Sequence, residues 1–76
     1  MNKVRRKELG KILDEIAVLR DRVWDIMNEE QDAFDSLPES LQYGEQGEKM
    51  ENALDCLQTA LDSFDEIDEA LTGAQE

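Results

Sequence analysis

Residues 9–26, LGKILDEIAVLRDRVWDI, decide the fold. Apolar side chains fall at Leu9, Ile12, Ile16, Leu19, Val23 and Ile26, in alternating steps of three and four. The series continues to Ala33 and Leu37, with Glu30 the single interruption. That spacing is a heptad seam on one helix, and neither a strand nor a loop has this period. A helix over about 3–34 follows. A second series, Met50, Leu54, Leu57, Leu61, Phe64, Ile67 and Leu71, is flanked by Ala53, Ala60, Ala70 and Ala74. It predicts a helix over about 47–73, with Thr72-Gly73 marking its stop.

The intervening residues, about 35–46, read as a turn holding one short helical segment. Ser36-Leu37-Pro38-Glu39 matches a capping box, in which the serine hydroxyl accepts from the Glu39 amide and proline sits in a first turn. Gly44 after Leu41-Gln42-Tyr43 reads as a glycine C-cap. Two long helices joined by so short a link fold back on each other. The expected fold class is all-α, an antiparallel two-helix hairpin in a single domain over 1–76. A turn centred near Leu41 sets Arg20 opposite Asp62 and Ile26 opposite Leu57.

One hairpin does not use all the apolar surface. Leu13, Ala17, Trp24, Met27 and Phe34 form a second ridge beside the seam. A domain of this size buries only about 60% of its unfolded surface, so a core alone is marginal and something must supplement it. Cys56 is the only cysteine and histidine is absent, which excludes an intrachain disulfide and the familiar zinc patterns. Oligomerisation remains. The expectation is a homodimer, a four-helix bundle assembled through the Leu13, Ala17, Trp24, Met27 and Phe34 ridge.

Twenty acids against eight bases give a net charge of −12, unevenly spread. Seven of the bases precede residue 23, and beyond it Lys49 stands alone among sixteen acids. Bases at the start of the first helix and acids at the end of the second (Asp62, Asp65, Glu66, Asp68, Glu69) each oppose their own helix dipole, and an antiparallel hairpin sets them side by side to neutralise each other. At the turn Glu29, Glu30, Asp32, Asp35, Glu39, Glu45, Glu48 and Glu51 crowd around Lys49 with no structural rationale of their own. This acidic pole is the expected partner-binding surface, suited to a basic protein. The cluster Lys3, Arg5, Arg6, Lys7 and Lys11 is the one feature that favours nucleic acid. With no aromatic among those bases and a strongly negative chain, it reads first as the charge partner of the second helix.

No enzyme is expected. Without histidine, neither Cys56 nor Ser36, Ser40, Ser63 or Thr59 has a base to activate it, and a hairpin offers no cavity to desolvate a carboxylate pair. The segment 62–69 spaces its carboxylates by three and lacks the central glycine of a calcium loop, so no metal or other cofactor is expected. Glu8, Lys11, Asp14 and Glu15 interrupt any secretory apolar region and no run is long enough to span a membrane, so a cytoplasmic chain is expected.

The run Phe34-Asp35-Ser36-Leu37-Pro38-Glu39-Ser40-Leu41-Gln42, followed by Gly47-Glu48-Lys49-Met50-Glu51 and the Ala/Leu repeat, resembles small helical-hairpin proteins of phages and prophages of Gram-positive bacteria. No activity is established for them and no site residue carries over. The resemblance implies a mobile genetic element, a setting in which small acidic proteins act by binding and blocking a host or defence protein. The expected function is a non-enzymatic acidic protein–protein interaction module. The alternatives are a nucleic-acid-binding helical dimer working through the basic N-terminus, and a structural or assembly component.

Overall fold

A computed structural model describes all residues, 1–76. The chain is entirely helical: α1 runs Lys3–Asp35, α2 Glu39–Gln42 and α3 Glu45–Ala74. The molecule measures 58 × 15 × 12 Å. At 1.5 Å per residue α1 is about 50 Å long, so the whole molecule is one helix length with the chain doubled back once. The all-α hairpin is as expected, with α1 packed along α3 and α2 capping one end.

The start of α1 has a cap that the sequence reading passed over. Asn2 is extended and its Oδ1 accepts from the Arg5 amide at 2.8 Å. An asparagine immediately before a helix was the available signal.

The turn is built differently from the expected capping box. Ser36 keeps helical angles, φ −82° and ψ −11°, and its hydroxyl donates back to the Asp32 carbonyl at 2.8 Å instead of accepting from Glu39. A capping serine must be extended, and the proline two residues later restricts Leu37, not Ser36. Pro38 itself is the N-cap of α2, and its carbonyl accepts from the Leu41 and Gln42 amides. The expected glycine C-cap is also absent. Gly44 is extended, φ −90° and ψ −174°, and serves as N-cap of α3; no residue in the chain has a positive φ.

Two residues close the turn. The Gln42 side-chain amide donates to the Phe34 and Leu37 carbonyls at 3.3 and 3.1 Å, satisfying acceptors that the end of α1 leaves free. Gly47, in the first turn of α3, is buried against the backbone of that same Gln42. A Cβ there would stand 2.5 and 2.7 Å from the Gln42 carbonyl carbon and Cα, with the carbonyl oxygen closer still. The turn exists because this position has no side chain.

The helix seam uses one row as expected and exchanges the other. The row Leu9, Ile16, Val23, Glu30, Leu37 is half-buried against α3. Its partner row is Leu13, Arg20, Met27, Phe34, not the expected Ile12, Leu19, Ile26, Ala33. Both rows flank the shared one at helical spacing, so the periodicity fits either. On α3 the expected Met50, Leu54, Leu57, Leu61, Phe64 and Leu71 all turn inward, while Ile67 stays exposed. Leu61 is the one fully buried side chain.

Candidate functional site

A single ion pair joins the two long helices. Arg20 Nε donates to Asp65 Oδ1 at 2.7 Å and its Nη2 to Oδ2 at 3.2 Å, a two-pronged contact. The hydrogen bond to Asp65 pushes the guanidinium above its ordinary value, against an opposing contribution from desolvation, so it stays charged. Asp65 replaces the expected Asp62, whose carboxylate instead accepts from Gln58. Helical side chains extend toward the N-terminus of their own helix, which carries the Arg20 head group about one turn back along α1. Ile26, expected opposite Leu57, is 55% exposed.

The wider neutralisation expected at the chain ends is not formed as ion pairs. Lys3, Arg5, Arg6 and Lys7 are exposed and make none; Lys11 pairs with Glu8 on its own helix at 3.3 Å. At the end of α3, Asp65, Asp68, Glu69 and Glu76 line a shallow concavity with Thr72 and Gly73 and no apolar side chain.

The acidic pole is only partly the unexplained crowd that the sequence suggests. Glu39 lies in the first turn of α2, and Glu45 and Glu48 in the first turn of α3, where the helix dipole favours carboxylates. Lys49 pairs with Glu45 at 3.3 Å, both largely exposed. Asp35 accepts from Gln31 at 3.0 Å. Glu29, Glu30, Asp32 and Asp35 lie in the last two turns of α1, which holds no base in its final turn, so their charge opposes the dipole there. The eight do not converge as one pocket: no three of the chain's carboxylates and thiol gather as a metal site requires. Glu29 and Glu51 fall on rows that flank the seam from opposite sides.

The ridge expected for self-association is divided. Leu13, Met27 and Phe34 face α3 inside the hairpin and are spoken for, because the row they share was chosen for the seam. Ala17 and Trp24 are exposed beside the Arg20–Asp65 pair, with Trp24 at 44%. What the exchange leaves outward on the other side is Ile12, Leu19 and Ile26, at 42, 46 and 55% exposure. The sequence signal for this second surface was the better aliphatic quality of that row, which the seam assignment had already used. Cys56 is exposed on α3 and makes no disulfide. No helix is long and apolar enough to cross a membrane. No family model, curated protein or solved structure matches the chain.

Proposed function

We propose that this protein is a non-enzymatic interaction module, a helical hairpin that pairs with a second copy into a four-helix bundle and presents its acidic turn to a basic protein partner. The observation that carries the reading is the turn end itself, where Glu29, Glu30, Asp32, Asp35, Glu39, Glu45, Glu48 and Glu51 meet one base, Lys49, and gain one ion pair from it. Close like charges repel each other, and a basic partner removes that repulsion. The phage or prophage setting implied by the turn sequence makes inhibition of a host or defence protein the role to test, in the cytoplasm.

The test is retention of a host protein on immobilised wild-type chain, compared with the triple variant Glu45→Lys, Glu48→Lys, Glu51→Lys whose helicity is verified by circular dichroism. A partner held by the wild type, released by salt and lost in the variant supports the proposal. Equal retention by both chains, or none by either, overturns it.

A second reading has one observation in its favour, the exposed and unpaired Lys3, Arg5, Arg6 and Lys7. As a nucleic-acid-binding dimer the chain shifts a duplex in a low-salt gel, with affinity falling steeply as salt rises. No shift at micromolar protein removes this reading.

A further inference from the structure

The side of the hairpin away from Arg20 and Asp65 carries a surface unlike the rest of the molecule. Arg20 and Asp65 meet along one edge of the helix pair. On α1 the row Ile12, Leu19, Ile26, Ala33 lies across the seam from Arg20. On α3 the row Ala53, Ala60, Ile67, Ala74 lies across the seam from Asp65. These rows therefore share the opposite face. The next row of α3 outward is Lys49, Cys56, Ser63, Ala70. Over the length of α3 this face holds no carboxylate, in a chain with twenty.

From this face we infer that two copies of the chain stack face to face and end over end, the two-fold axis passing near Leu19 and Ala60. The inference rests on the pairing proposed above and adds its surface and direction. The area argument comes first. The hairpin exposes 5748 Å², where a compact monomer of 8.7 kDa exposes about 4,700 Å². Its radius of gyration is 17.3 Å, against about 11 Å for a compact chain of this length. The excess of about 1,000 Å² is close to the roughly 800 Å² per partner that a standard protein interface covers.

Charge then fixes the direction. Stacking the copies in parallel, about a two-fold along the helices, sets acidic turn on acidic turn and lays each α1 on the partner's α3. Turning one copy end over end lays Lys3, Arg5, Arg6 and Lys7 of α1 beside Asp32 and Asp35 of the partner subunit. Both sets of charges oppose their own helix dipole in the lone hairpin, and each meets its complement in this arrangement. Shape agrees, since α1 lies on its antiparallel copy with Ile12 opposite the partner's Ile26 and Leu19 near the partner's Leu19. On α3 the bulk of Ile67 falls against the partner's Ala53. In the row beside the aliphatic one, Glu15 comes level with the partner's Arg22.

Light scattering on the whole chain at micromolar concentration should give twice the 8.7 kDa chain mass. Leu19→Glu, exposed and outside the hairpin seam, places two carboxylates at the axis and should weaken association by about 100-fold or more. Trp24→Ala, on the other side, should leave the dimer intact. Cross-linking reads the direction without depending on that variant. In a Cys56→Ser background, Ile12→Cys and Ile26→Cys chains are mixed and oxidised, and the disulfide should join one to the other. A monomeric wild type overturns both the pairing and its direction. A dimer that survives Leu19→Glu but not Trp24→Ala overturns the assigned face. A dimer in which the Ile12→Cys and Ile26→Cys chains do not cross-link overturns only the end-over-end arrangement.

Discussion

Gly47→Ala should lower the melting temperature of the hairpin by roughly 10–20 °C, corresponding to about 2–3 kcal/mol in a domain of this size. Helix propensity alone points the other way, because alanine is favoured over glycine inside a helix by up to about 1 kcal/mol. The sign reverses because the added methyl meets the backbone of Gln42, with the carbonyl carbon at 2.5 Å, and backbone held by α2 has no rotamer by which to withdraw. Displacing Gln42 also pulls its side chain from the Phe34 and Leu37 carbonyls, so strain spreads to the end of α1. Gly10→Ala is the control. Nothing lies within 4 Å of a Cβ at that position, so this change should raise the melting temperature by a few degrees. Thermal melts followed by far-ultraviolet circular dichroism, at one fixed chain concentration, compare the two. A Gly47→Ala chain as stable as Gly10→Ala would mean that α2 is not held against α3.

Leu61→Ala should be the most damaging truncation of an apolar side chain, at about 2–4 kcal/mol. Leu61 is wholly removed from solvent, and every other large apolar side chain keeps some exposure. It stands on α3 across from the stretch of α1 that holds Val23 and Arg20, between the ion pair and the turn, so its loss opens the hairpin at mid-length. Two helices close over a gap more easily than a packed globule does, which puts the expected cost below the top of the range for buried leucines. Val18→Ala, at an exposed position outside both the seam and the proposed pairing face, should cost under about 0.5 kcal/mol. Urea titrations of both variants at equal chain concentration give the comparison. Equal midpoints would contradict the burial pattern.

The candidate surfaces were legible in the sequence to different degrees. The acidic turn could be read directly, because eight carboxylates within a short stretch around a chain reversal end up near one another whatever the details of the turn. The rationale for Glu39, Glu45 and Glu48 could not be read, since it depends on where α2 and α3 begin, and both helix starts fell at glycine or proline where the expected caps fell elsewhere. The ridge read as the association surface is divided, with Leu13, Met27 and Phe34 turned inward and Ala17 and Trp24 exposed. Leu9, Ile16, Val23 and Leu37 belong to the seam in either arrangement, and the flanking rows Ile12–Leu19–Ile26 and Leu13–Arg20–Met27–Phe34 have the same spacing. Judged by hydrophobicity, the first row wins. The structure buries the second, turning Leu13, Met27 and Phe34 inward while the Arg20 charge stays at the edge with Asp65.

Periodicity alone determined that the chain is two long helices, and the short link between them determined that they run antiparallel. These are local properties: each residue's place on its own helix follows from 3.6 residues per turn, and so short a link between the helices leaves no other path. Only the tertiary structure decided which flank of α1 turns inward, which carboxylate Arg20 meets, and why position 47 must be glycine. Each of these depends on the rotation and approach of one helix against another, set by side-chain fit and backbone contact between residues far apart in sequence, which a heptad pattern leaves open.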